Sequence, residues 1–501
     1  DKDSDDGFEG GFVMEPQRGF YNNGVSVYDF NSLYPNTMVT LNISPETRIG
    51  KIISTDKIET VLKTNNGSET IKTEILNKML KNKEAIVTAN RTLFMSHGTK
   101  LGLIPKCVIE MYDKRKDAKR LAKEAKKSLL TETDPDVIIQ LEKTVGENEL
   151  LDSAMKVLLN TLYGVLGSRF FPLFDLDCAE AVTLSGQQMT KESLRFANEY
   201  CRNTFGIDYD VVLFADTDSA GVNTRPFVKD VFGTLDVVWT DDNIRKITAR
   251  LDEFGNLLNE NCFNFIQKYF RSKMRRIEYK RENFASSAEF IAKKNYIMKI
   301  IEKEGFIKTE WKTVGLAIKK NELPTVIKDE LAKIVYEAVD KNISDSIFKE
   351  RLADLKMRYY SMDALTLAYN KNLTTAKADT GFLKVETHAG PHARGAVYYN
   401  QLIDHLKLGS KYEKISEGDR MRYVWIRPNN DFNLDAMGFK DVWPTEFTNL
   451  FEIDYNSMWE KQVLAPLESF AANHGWDITT EKIRAKNKYV QSDFATNLGD
   501  L

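Results

Sequence analysis

Asp216 and Asp218 stand two apart in the segment A-D-T-D-S, and Asp29 closes a second β-branched run, V-S-V-Y-D. On an extended strand, residues two apart share a face, so both carboxylates of D-T-D would project together. Such a pair is a hard-oxygen site for Mg2+, which takes one or two carboxylates and keeps its other positions for water and phosphate. The same D-T-D-S also suits an Asx-type turn capped by its own aspartates. Asp29 tips the balance if its strand is a neighbour. Acids on two adjacent strands can clamp a pair of ions about 4 Å apart, one activating a hydroxyl and one neutralising leaving phosphates. Spacing alone does not make the two strands adjacent.

Cations follow a helical spacing. Arg115 and Lys119 are four apart, and Lys156, Asn160 and Tyr163 fall at i, i+4 and i+7, so each set lies on one helix face. The plain alternative for Arg115 and Lys119 is a solvated basic helix. Lys156 and Asn160 stand opposite Val157, Leu158 and Leu159, which suits a bare surface helix less well.

The elements that must position these groups can be read along the chain. V-S-V-Y-D-F breaks at S-L-Y-P, which predicts a strand, a turn and a helix, because the chain must turn before Pro35. Residues 106–130 and 136–166 predict two helices forming a hairpin, separated by T-E-T-D-P-D, whose proline and acids suit the start of the second. The run from Asp210 to Asn223 predicts a strand, a tight turn and a returning strand. Residues 51–100 are polar, with N-N-G-S at their centre, and read as an insertion packed loosely on the surface. Helical and mixed segments are expected up to about residue 315. The remainder to 501 is expected to be helix-rich, with a short β-like section near Met421–Arg427.

Bulk properties narrow the class. A chain of 501 residues with 42% hydrophobic content is globular and too long for one core. Cys107, Cys178, Cys201 and Cys262 include no C-x-x-C pair, and the five histidines show no ligand spacing, which argues against a structural zinc or iron–sulfur module. No stretch approaches the roughly 18 apolar residues of a membrane span. The net charge of -3 hides a sorted distribution: from Tyr112 to Lys127, eight Lys or Arg face three acids. A second basic stretch runs from Arg271 to Arg281.

In order, D-F-N-S-L-Y-P (29–35), K-V-L-L-N-T-L-Y-G (156–164) and D-T-D-S (216–219) resemble the three polymerase motifs of family-B (alpha-like) DNA polymerases. N-I-S-P-E-T (42–47), Y-D-K-R-K-D-A-K (112–119), K-K-N-Y (293–296) and P-H-A-R-G (391–395) extend the resemblance over almost the whole chain. Its flavour is that of replicative enzymes of tailed bacteriophages. The resemblance implies an α+β right-hand fold with an antiparallel-sheet palm, helical-hairpin fingers and a helix-rich thumb. The expected divisions are an acidic linker (1–11), a first palm part (12–105, with the 51–100 insertion), fingers (106–164), a second palm part (165–315), and a thumb with C-terminal tail (316–501).

The resemblance also assigns roles. Asp29 and Asp218 match the metal-bridging carboxylates, the Phe30 carbonyl an extra metal ligand, and Asp216 a supporting acid. Ser32, Leu33 and Tyr34 match the turn that meets the triphosphate, a sound anion site on physical grounds too. Tyr34 is expected to exclude ribonucleotides, a core tyrosine beside Pro35 being the alternative. Arg115, Lys119 and Lys156, with Asn160, are expected to hold the triphosphate, and Tyr163 to pack on the nascent base pair. DNA contacts are expected from Gly164, Lys294, Tyr296, Lys319, Lys320, His392, Arg394 and Gly395. Asn295 stands where the motif usually has Arg, and Ala317 where the family often has an acid. Glu282 fits either a further acid near the metals or a surface ion pair.

The implied cofactor is two Mg2+ ions, with Mn2+ as an alternative. The implied partners are primer-template DNA, deoxynucleoside triphosphates, a separate exonuclease chain or domain and a sliding clamp. No membrane is implied, and the expected location is the cytoplasm, that of the host if the source is viral. Only 28 residues precede Asp29, so no proofreading is expected of this chain, and 491–498 lacks the aromatic pair of a clamp-binding peptide. The rival classes are a non-catalytic polymerase-like DNA-binding subunit and a metal-dependent nuclease.

Overall fold

The computed structural model describes residues 9–373, 390–432 and 434–478; segment 491–498 lies outside them. The chain divides into two compact units. The first comprises 1–17, 23–286 and 300–309, and the second 18–22, 287–299 and 310–501.

After strand β1 (Gly19–Tyr21), the first unit opens with β2 (Val25–Phe30) and α1 (Leu33–Thr40). In β2 only Asp29 is not fully buried, as expected of a strand covered on both faces. Residues 48–95 then form β3 (Arg48–Thr55), β4 (Glu59–Thr64), β5 (Gly67–Lys72), α2 (Thr73–Lys81), β6 (Ala85–Val87) and β7 (Thr92–Met95). These five strands pair antiparallel in the order β5-β4-β3-β7-β6 over a small core of Leu62, Leu76 and Leu93. The expectation of a loose insertion is therefore corrected to an ordered sheet. Its polarity misled because only one face of so thin a sheet needs apolar residues.

Helices α3 (Leu103–Leu129) and α4 (Pro135–Leu166) form the expected hairpin. The Asp134 side chain caps α4 at the Asp136 N–H and Pro135 takes its first position, where no N–H is needed. Helix α5 (Leu176–Phe205) starts on an Asp175 cap and stops at Gly206, whose φ of 63° closes it in the left-handed region. The hairpin β8 (Val212–Asp216) and β9 (Ser219–Asn223) follows, then α6 (Arg225–Phe232) and α7 (Asp241–Phe265).

Three long strands come next, β10 (Tyr279–Ala292), β11 (Asn295–Lys303) and β12 (Phe306–Val314). They occupy a region read as helical and mixed. Frequent charges, as in Y-K-R-E-N, conceal a strand, where Arg281 pairs with Asp252 and Glu302 of other elements. The main sheet runs β12-β11-β10-β2-β9-β8, with β1 on β10, and β10, β11 and β12 continue from one unit into the other. In the first unit the sheet shares one core with α1, α5, α6 and α7, around Tyr28, Phe254 and Phe284.

The second unit adds α8 (Thr325–Lys341), α9 (Asp345–Tyr359), α10 (Ala364–Leu367), β13 (Tyr369–Asn372), α11 (Pro391–His405), β14 (Arg420–Trp425) and β15 (Ala436–Phe439). Strand β14 is the β-like section expected near Met421. Three helices, α12 (Phe447–Leu450), α13 (Tyr455–Trp459) and α14 (Ala465–Asn473), complete it. Its core is separate, centred on residues such as Phe348, Tyr359 and Tyr399. Buried Gln462 is satisfied by the Tyr359 hydroxyl and the Leu367 carbonyl.

Candidate active site

Register makes the acidic strands neighbours. Asp29 lies directly opposite Ser219, and the Phe30 N–H donates to the Asp218 carbonyl at 2.9 Å. The D-T-D pair is not arranged as strand alternation implied. Asp216 ends β8, while Thr217 and Asp218 form the hairpin turn, so Asp218 lies beyond the extended strand. Asp29 and Asp218 line a cleft of about 920 Å³, and the Asp216 charge acts on the Asp218 carboxyl.

That turn is strained and held from several sides. Thr217 has φ 61°, uncommon for a β-branched residue. Its N–H donates to the Phe12 carbonyl at 2.8 Å, and its own carbonyl accepts from the Thr190 hydroxyl at 3.1 Å. Gly11 passes so close that an added Cβ would meet the Thr217 hydroxyl at 2.6 Å and the Tyr34 hydroxyl at 2.9 Å. Glu9 and Gly10 accept from the Gln187 side chain. Residues 9–11 are thus seated beside the site, which corrects their reading as linker.

The acids gather charge. Burial, then Asp216 and Glu282, raise the Asp218 carboxyl above the ordinary range, and Lys156 offsets part of this. Glu282 sits at a register shift in β10 and lines the same cleft. Lys280 lies directly opposite Asp29 and also lines the cleft; no sequence spacing signals it, because only register brings it there. Among the described residues no three His, Cys, Asp or Glu side chains gather closely enough to hold a metal by themselves. The donor set still fits Mg2+, whose sites use one or two carboxylates and are completed by substrate phosphates. A crowded carboxylate with a raised pKa also gains from a nearby cation.

Ser32, at φ 53°, gives α1 no side-chain cap, so the helix start is suited to an anion. Phe30 and Leu33 are buried, which leaves only their backbone to act. Across the cleft, α3 and α4 bring Arg115, Lys119, Lys156 and Asn160 to its lining. Arg115 is engaged: its Nε donates to Asp152 at 2.7 Å and its Nη1 to the Ser32 hydroxyl at 3.5 Å. Lys119, Lys156 and Asn160 are exposed, as are Val157 and Leu158, so those two apolar residues do not back a buried face. Tyr112 and Asn31 were missed by sequence reasoning; both line the cleft, and the Asn31 amide reaches the Tyr112 hydroxyl at 3.5 Å.

Tyr34 and Tyr163 are paired, with ring centroids 4.6 Å apart. A Cβ on Gly186 would meet the Tyr34 ring at 3.3 Å. Burial, Asp218 and Asp216 push the Tyr34 hydroxyl up to about 12, and burial raises Tyr163 further, so both stay neutral. Gly164 is exposed one residue beyond Tyr163.

The remaining expected residues lie in the second unit. Lys294 sits at the β10–β11 turn with φ 54°, and Gly315 packs against its carbonyl. Tyr296 packs on Phe290 at 5.6 Å, and the Asn295 side-chain oxygen is buried without a hydrogen-bond partner. Lys319 and Lys320 are exposed. Burial, Lys371 and Arg394 lower the His392 pKa, which favours a neutral ring, and Arg394 pairs with Asp435. Gly395 differs from its expectation as a DNA contact: it is buried, and a Cβ there would meet the Gly438 nitrogen at 2.7 Å. Glycine is needed at 395 for backbone packing.

Asp29 and Asp218 thus share one cleft with cations of a helical hairpin. The model of DNA polymerase family B matches residues 1–474, and the chain belongs to that family. It is 24% identical to the DNA-directed DNA polymerase of Escherichia phage RB69 and 22% to that of Enterobacteria phage T4, alignments covering 93% and 94% of this chain. It is 25% identical to the DNA polymerase delta catalytic subunit of Candida albicans over 93% of its length. The chain spans 55%, 56% and 37% of these three relatives. Among the described residues no helix is long and apolar enough to cross a membrane.

Proposed function

We propose that this chain performs template-directed DNA synthesis, adding deoxynucleotides to a primer 3′-hydroxyl and releasing pyrophosphate. The observation that carries the reading is that Asp29 on β2 and Asp218 in the adjoining β8–β9 turn line one cleft with Arg115, Lys119 and Lys156. Binding alone has no use for a carboxyl such as that of Asp218, whose pKa burial and the charges of Asp216 and Glu282 raise. The nuclease reading leaves Arg115, Lys119 and Lys156, which line the cleft with the acids, without a triphosphate to hold.

In this reading the main sheet with α5 and α7 is the palm, the α3–α4 hairpin the fingers, and the residues from 316 onward the thumb. Two divalent cations, Mg2+ with Mn2+ as an alternative, would be held by Asp29, Asp218 and the Phe30 carbonyl and supply activation of the 3′-hydroxyl and neutralisation of the leaving phosphates. The first-turn amides of α1 orient the triphosphate, and Lys119 and Lys156 screen its charge. Arg115 exchanges Asp152 for phosphate, which moves the hairpin onto the nucleotide. Tyr34 sits beneath the sugar and Tyr163 beside the base pair. Lys294 reaches the primer-terminal pair, where the minor groove offers acceptors in every correct pair, and Tyr296, Lys319, Lys320, His392 and Arg394 follow the duplex.

The test is primer extension in Mg2+ with and without deoxynucleotides. Nucleotide-dependent lengthening that follows the template is expected. Shortening of the primer under both conditions would favour the nuclease, and binding without either would favour a non-catalytic subunit.

A further inference from the structure

The N-I-S-P-E-T motif (42–47) has no part in the chemistry above, yet its side chains make a concentrated set of contacts. Helix α3 begins after Gly102, which has no side chain to cap it. Its leading N–H groups are instead taken by residues almost sixty positions earlier. Gly102 N–H donates to Asn42 Oδ1 at 2.9 Å, Leu103 N–H to Glu46 Oε1 at 2.5 Å, and Ile104 N–H to Ser44 Oγ at 3.3 Å. Asn42 also donates to the Met95 and Lys100 carbonyls, and Ser44 donates to Glu46 at 2.6 Å. The fit is close: a Cβ on Gly102 would meet the Ser44 Cβ at 2.8 Å.

Asn42, Ser44 and Glu46 follow α1 directly, and α1 begins at the Ser32–Leu33–Tyr34 turn. One eight-residue helix therefore joins the sugar-side turn to the base of α3. The same two elements meet again at the cleft, through Asn31 with Tyr112 and Ser32 with Arg115. Building on the polymerase reading, we propose that Asn42, Ser44 and Glu46 form the fixed pivot of α3, referencing Arg115 and Lys119 to Tyr34 during nucleotide binding. They are positioning residues.

The lever explains why a distant cap would matter. Arg115 lies twelve residues along α3 from Leu103, about 18 Å at the usual helical rise. A tilt of about 5° at the base would move it roughly 1.5 Å, and a misplacement of about 1 Å can cost on the order of a hundredfold in rate. The Ile104 and Val108 side chains are buried and keep the helix folded when the cap is lost.

Glu46→Ala and Glu46→Gln separate the pivot from general stability, since the glutamine keeps an oxygen for the Leu103 N–H. With active enzyme counted by burst amplitude, Glu46→Ala is expected to raise the half-saturating nucleotide concentration about fivefold or more, the worth of one hydrogen bond. Primer-template affinity should be unchanged, and Glu46→Gln should restore most of the loss. Hydrogen exchange at Leu103 and Ile104, measured without substrate, should quicken in the alanine variant alone. Unchanged nucleotide dependence in Glu46→Ala while wild type extends primers would overturn the pivot. So would a loss of burst amplitude alone, or equal defects in both variants. Failure of wild type to extend would instead overturn the polymerase reading and leave hydrogen exchange to judge the cap.

Discussion

Asp218 is the residue at which the proposed function opposes stability. Burial and the charges of Asp216 and Glu282 raise its pKa, so the folded state binds its proton more tightly than the unfolded state. Stability from this group is therefore full below the unfolded carboxylate range and falls as pH rises through the folded pKa. At neutral pH without metal, Asp218→Asn should melt higher than wild type, an advantage that vanishes in acid. Mg2+ should stabilise wild type and leave the variant unmoved. The same substitution should lower extension at least a hundredfold, the order of loss when a charge-stabilising group is removed from a transition state. Extension within tenfold of wild type would remove Asp218 from the catalytic site. Tyr34→Ala makes a different demand. A steric wall should, when removed, raise ribonucleotide incorporation by on the order of a hundredfold, worth roughly 3 kcal/mol, with a smaller change for deoxynucleotides. Single-nucleotide insertion kinetics decide it, and equal losses for both sugars would make Tyr34 a packing residue. At this scale the reactive types were legible in D-F-N-S-L-Y-P and D-T-D-S. Their arrangement was less so: Asp216 and Asp218 flank a turn bent at Thr217, and Lys280 reaches Asp29 only through register.

The α3–α4 hairpin was the most legible element, because Pro135 and the Asp134 cap punctuate two long helical patterns. Strands β10 to β12 were not. Their charges satisfy one another in three dimensions, as where Arg281 pairs with Asp252 and Glu302, so the sequence shows no clean alternation. The same pairing reduces the second basic stretch as a phosphate-binding surface, since Arg275 also pairs with Glu260. On α3, Arg120 is taken by Asp117 and Glu124 and Lys126 by Glu149, while Arg115 and Lys119 are its basic residues that line the cleft. Arg115→Ala should raise the nucleotide concentration for half-maximal rate about tenfold or more, the scale of a lost charged hydrogen bond, and Lys119→Ala should act in the same direction. DNA affinity should move little in either. A fall in DNA affinity at constant nucleotide dependence would make the hairpin a duplex-binding face. Asp152→Asn, which releases Arg115, should shift nucleotide dependence by less than Arg115→Ala does.

At the scale of the molecule, each of the two units has its own large hydrophobic core. The cleft belongs to the first, and the second, which carries most of the expected duplex contacts, closes around α11, β14 and β15. Composition and length made more than one core legible, but not where the boundary falls, because β10 runs without a break from one unit to the other. Gly395 tests the division. It lies on α11 where the backbone comes against β15, and an added Cβ would meet the Gly438 nitrogen at 2.7 Å, a contact with backbone that no rotamer change relieves. Forcing a methyl into a closed interface costs about 1–3 kcal/mol. Gly395→Ala should therefore lower hydrogen-exchange protection in α11, β14 and β15 by that amount and leave β2, β8 and β9 as they are. Nucleotide dependence should hold while primer-template affinity falls, since His392 and Arg394 ride on the disturbed helix. Equal loss of protection in β2 and β9 would mean that the two cores unfold as one. Unchanged protection in α11 would mean that the backbone yields and that glycine at 395 serves something other than packing.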